Sequence, residues 1–168
     1  MIFSNSFRRV FTRSVLALFI VFTVLFVSCK HEPGDGDPSL DGTWKSAYGE
    51  VFIINLTNNT FSCPNEDWPD YAYAGTISKV EYFNSNNTTG IIFIELTDKG
   101  ASFSTSGNGD FTGVYFTNLT DETVEICVAA NPADYTTPVR ATLAEAKELL
   151  DVDSVSTYFA MTSACEKQ

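Results

Sequence analysis

Apolar and polar positions in this chain alternate more often than they recur at helical spacing, which marks β-strands. In Thr123-Val-Glu-Ile-Cys-Val128, Val124, Ile126 and Val128 share one face and Thr123, Glu125 and Cys127 the other, the pattern of a half-buried strand facing water on one side. Val51-Phe-Ile-Ile54 and Ile91-Ile-Phe-Ile-Glu-Leu96 are apolar on both faces, so their outer side needs a cover as well. The alternation predicts eight strands, over 42–47, 51–55, 60–63, 72–83, 90–97, 110–118, 122–129 and 155–160. Several connections are short and carry turn residues, among them Tyr48-Gly49, Asn58-Asn59, Ser85-Asn86-Asn87 and Thr120-Asp121, so neighbouring strands run antiparallel in a meander. Asn55-Leu-Thr-Asn-Asn-Thr60 and Asn118-Leu-Thr-Asp-Glu-Thr123 are alike, but their spacing is not that of a solenoid; they are reused hairpin chemistry.

Helical spacing appears late. Thr142-Leu-Ala-Glu145 is a capping box, and Leu143, Ala146 and Leu150 recur on the turns that follow, which predicts a helix over 143–150 laid across an end or outer face of the sheet. Eight antiparallel strands in this length remove their unpaired edges most economically by closing. The expected fold is therefore all-β: an eight-stranded antiparallel meander closing into a small barrel, with one short helix before the last strand.

The start of the chain departs from this pattern. Arg8, Arg9 and Arg13 precede the apolar run 15–27, and Ser28-Cys29 follows it. Basic residues, a short apolar run and a small residue at the cut are the parts of a secretory signal peptide over 1–28, and the run is too short for a permanent membrane span. Residues 30–41 hold two prolines, two glycines and four carboxylates but one large apolar side chain, so with Cys29 they read as a flexible spacer, 29–41. Asp35, Asp37 and Asp41 lack the glycine and glutamate of a calcium loop, since Leu40 and Ser46 stand at those places. One domain remains, 42–168.

Charge narrows the partners. The net charge is −11, and loss of Arg8, Arg9 and Arg13 with the signal peptide, which carries no acidic residue, takes it to −14. A surface so acidic argues against nucleic acid and against electrostatic docking on anionic lipid.

Two short motifs add resemblances. Phe26-Val27-Ser28-Cys29 resembles the lipobox of bacterial lipoproteins, in the looser form of spirochaetes. That resemblance implies acylation of Cys29, attachment to a lipid bilayer and a domain held outside the cytoplasm in the cell envelope; multiple acyl chains anchor stably. Gly42-Thr-Trp44 opening the first strand resembles the Gly-X-Trp of lipocalins, which implies a lipocalin-like barrel with Trp44 plugging one end.

Beyond Cys29, three cysteines enter an oxidising compartment. Cys63 ends an early strand and Cys165 lies in the tail, so a Cys63–Cys165 disulfide that staples the tail, with Cys127 free, is the expected pairing. Three scattered cysteines without histidine partners do not suggest a metal site. The only histidine, His31, sits in the spacer, away from any folded triad, so no catalytic residue and no cofactor are expected. A binding module comes first: Trp44, Phe52, Phe93, Tyr115 and Phe116 either line a cup for a small apolar ligand or fill it. The alternative is a surface protein that binds an envelope or host protein through Glu66-Asp-Trp-Pro-Asp-Tyr-Ala-Tyr73, where Trp68, Tyr71 and Tyr73 either contact a partner or fold inward over the barrel mouth. Oligomeric state is not legible.

Overall fold

Alternation along the chain does close into a barrel. The computed structural model describes residues 36–65, 72–99 and 107–168. Its strands are β1 (Gly42–Ser46), β2 (Val51–Asn55), β3 (Thr60–Cys63), β4 (Tyr73–Tyr82), β5 (Gly90–Asp98), β6 (Phe111–Thr117), β7 (Thr123–Val128) and β8 (Ser163–Lys167). Each pairs antiparallel with the next, and β1 pairs with β8 through Trp44–Lys167, Lys45–Glu166 and Ser46–Cys165, so the sheet is a closed eight-stranded barrel. The longest pair, β4 and β5, carries two register shifts, near Gly75 and Ile77. Such irregularities bend a ladder and aid closure. At Gly90 the backbones pack so closely that a Cβ would fall 2.1 Å from the Glu81 carbonyl oxygen.

The first seven strands lie within two residues of their predicted places; the eighth does not. Residues 155–160 are not a strand. Asp151 accepts from the Ser154 amide while the Ser154 hydroxyl serves the Asp151 amide, both at 2.9 Å, and this reciprocal cap starts a 3₁₀ turn, Val152–Ser154, that runs into a short helix, α2 (Val155–Tyr158). Local capping wins over the β-branched composition of the segment. The true last strand, Ser163–Lys167, buries only Cys165, too faint a pattern to read in advance.

Inward side chains fill the barrel. Trp44, Phe61, Phe116, Ile92, Ile94 and Leu96 are at most 1% exposed and belong to one continuous cluster. The end where β1 begins is the floor, sealed by Leu40, Trp44, Phe116 and Leu119. Trp44 Nε1 donates to the Leu40 carbonyl at 2.8 Å, and Lys167 Nζ stands 5.0 Å from its ring centre.

A second apolar layer lies outside the barrel. The predicted capping box is formed by Thr142 and Glu145 and starts α1 (Leu143–Leu149). Ala146, Leu150 and Phe159 pack on Ile91, Phe93 and Cys127, the outward face of β5 and β7. Gly113 makes room, because a Cβ there would sit 2.9 Å from Leu150 Cδ1. This is the cover that β5 requires. β2 has none on its outer face, since Ile53 is 39% exposed, and β7 is covered at Cys127 where water was expected. The barrel, its cover and both apolar clusters fall within one compact unit, Asp35–Gln168, which thus carries its whole core within itself. No helix among the described residues is long and apolar enough to cross a membrane.

Candidate functional site

Opposite the floor lies the mouth, where β3 and β5 end and where the turn after β1 and the long β7–β8 connection leave the barrel. The cysteines show how this end is packed. Cys63 and Cys165 face inward and Cys127 outward, and all three are buried free thiols. The expected Cys63–Cys165 staple is therefore absent. Cys165 sits in the β1–β7–β8 ladder with its thiol donating to the Ser163 carbonyl, while the Cys63 thiol faces the Tyr73 hydroxyl; both belong to one buried cluster and each has a partner other than the opposite sulfur. Burial pushes Cys63 up to about 11 and Cys165 up to about 12, with the Glu50 carboxylate adding in the same direction.

Glu50 is held as a fixed point at the mouth. The tight turn after β1 uses Gly49 at φ +87°, and the Ser46 hydroxyl accepts from the amides of Tyr48 and Glu50 at 3.2 and 3.1 Å. Hydroxyls of Ser46 and Ser163 both donate to Glu50 Oε2. One carboxylate thereby ties together β1, β2 and β8, and among the described residues it has no lysine or arginine partner.

Beside it opens a cleft of about 410 Å³, between the barrel rim and the β7–β8 connection. Phe52 and Ile126 form the inner wall; Tyr135, Tyr158 and Met161 form the outer one; Glu50 and Ser163 supply the polar edge. The outer wall is built stiffly. Asn131 receives the Tyr135 amide and donates to Thr136, each at 2.8 Å, and the Ala130 amide donates to the Tyr158 carbonyl at 2.8 Å, joining the loop to α2. Asp134 Oδ1 accepts from the hydroxyl and amide of Thr136, which hold its carboxyl below the usual range. Tyr135 is forced to φ +58°, a left-handed conformation unfavourable for a bulky residue, and its ring is 73% exposed. Met161, 67% exposed, shares the rim, and Tyr48, 88% exposed, tips the turn at this end.

No known protein family, curated protein or solved structure matches the chain. Chemistry at the mouth therefore rests on these residues alone. Among the described residues no group of three or more His, Cys, Asp or Glu is placed to hold a metal ion.

The five aromatics expected in one cup are split by the wall of the barrel. Trp44 is sealed in the floor and Phe116 in the interior, where Tyr82 meets it edge-on at 5.8 Å. Phe93 and Tyr115 lie outside, beneath the cover, with Tyr115 5.5 Å from Phe159. Strand parity explains the split: Ile91, Phe93 and Tyr115 have the opposite facing to Ile92, Ile94 and Phe116. Only Phe52 reaches the cleft. Tyr73 is not a loop contact but an interior ring, stacked on Phe61 at 5.7 Å. Trp68, Tyr71 and Cys29 lie outside the described residues. Glu50, Ser163, Tyr135 and Met161 carried no advance signal, because the site forms only when β8 closes on β1 and the β7–β8 connection folds back.

Proposed function

We propose that the chain is an extracytoplasmic lipoprotein, tethered by acylated Cys29, whose barrel is a binding module for a small apolar ligand seated in the mouth cleft rather than in the lumen. The observation that carries this reading is the contrast between a filled interior and an open, mostly apolar cleft within the size range of small-molecule sites. A strained tyrosine and an exposed methionine at the rim add to it, since strain and exposed apolar surface concentrate at sites of binding. A second reading, docking of an envelope or host protein, is favoured by Tyr48 at the same end, where its ring stands clear of the barrel.

Each half has its own test. Cys29→Ser should move the protein from the detergent to the aqueous phase on phase partitioning; continued detergent partitioning refutes the anchor. Native mass spectrometry of residues 35–168, with extraction of anything carried along, should reveal a retained small molecule. A bare protein that instead captures an envelope protein through a surface containing Tyr48 favours the second reading.

A further inference from the structure

From the charge on the cleft wall we infer the ligand class: an amphipathic amine, whose ammonium group seats on Glu50 and whose apolar body lies between Phe52, Tyr135, Tyr158 and Met161. This rests on the mouth cleft being the ligand site. Glu50 is the only charged side chain on the cleft wall among the described residues. It is half-buried, and its two hydroxyl partners both fall on Oε2, leaving Oε1 with no partner among the described residues. A carboxylate drawn from water toward an apolar wall favours a cation that restores the lost solvation. Its field extends across the mouth, where it adds to the upward shift that burial imposes on the thiols of Cys63, Cys127 and Cys165. Tyrosine faces and a thioether are good neighbours for an ammonium and for the methylenes attached to it. The net charge of −11 favours approach of cations over anions such as fatty acids.

A matched series tests this: hexylamine, hexanol and hexanoate, which share one body and differ in head group. Each is titrated into the 35–168 unit while the backbone amides of Asn131, Thr157 and Ser163 are followed by NMR. Hexylamine should bind about tenfold tighter than hexanol, with hexanoate weakest, as a charge-assisted contact implies. Glu50→Gln, which keeps an acceptor for Ser46 and Ser163, should bring the amine and the alcohol to within about twofold. Without any substitution, raising salt to about 0.5 M should shrink the amine preference in the parent protein. Equal binding of amine and alcohol, or a preference that survives both Glu50→Gln and salt, overturns the amine assignment and leaves an apolar cleft. Failure of all three probes to bind overturns the cleft reading itself. Ala160→Trp, at an exposed cleft position, should weaken amine and alcohol alike; unchanged binding also overturns the cleft.

Discussion

Phe116→Ala asks whether the barrel is filled. Phe116 is fully buried, meets Tyr82 edge-on, and its Cζ stands 2.9 Å from where a Gly90 Cβ would be, so its surroundings have little room to collapse. Truncating a buried phenylalanine costs about 3–5 kcal/mol, the lost transfer energy plus the cavity left behind. Poor collapse and a lost edge-to-face pair place this site in the upper half of that range. Against a total stability of about 5–15 kcal/mol, that is about a quarter or more of the margin. With a urea slope of about 2 kcal/mol per molar, a loss of about 4 kcal/mol moves the midpoint down by about 2 M at unchanged slope. Far-ultraviolet circular dichroism during urea unfolding reads it directly. The vacated space should stay dry and admit a small aromatic, so benzene should raise the variant's midpoint and not the parent's. A loss under about 1 kcal/mol, or benzene stabilisation of the parent, would refute a filled interior and restore the open cup.

Thr142→Ala removes one half of the observed capping box and should cost about 1 kcal/mol, with faster amide exchange confined to α1 and the cover; exchange unchanged in α1 would mean the cap is not formed in solution. Cys63 and Cys165 have folded pKa values raised above their ordinary value near 9, so the unfolded chain releases these protons first. Stability should be fully present below about pH 9 and be lost as pH rises toward 11–12, and iodoacetamide should label neither thiol in the native protein at pH 8. Flat stability between pH 9 and 11, or rapid labelling, would show that the thiols are not buried as described.

Fold and site differ in how far they could be read from sequence. Val124 and Ile126 announced their facing by simple alternation, and Thr142 and Glu145 announced α1 by cap chemistry, because both signals are local. Ile91 through Ile94 announced burial on both faces but not which residue went where; parity alone cannot say which face is the lumen, and that misassigned Phe93 and Tyr115. That Cys63 and Cys165 stay unbonded was hidden as well, since sequence placement does not fix the close sulfur geometry that a bond requires. Glu50 was least visible. Its importance comes from Ser163, more than a hundred positions away, and no window of the chain contains both.

The seam between β1 and β8 has a kinetic consequence. Every other ladder joins strands adjacent in sequence, whereas this one pairs Ser46 with Cys165 and is only three residue pairs long. A contact of such wide separation forms late, since the intervening chain must first be organised, and barrels of this kind fold in about milliseconds to seconds rather than microseconds. Until it forms, β1 and β8 are bare edges open to pairing with another molecule. Lys45, outward on β1 and opposite Glu166, is placed to discourage the wrong partner while it waits for the right one.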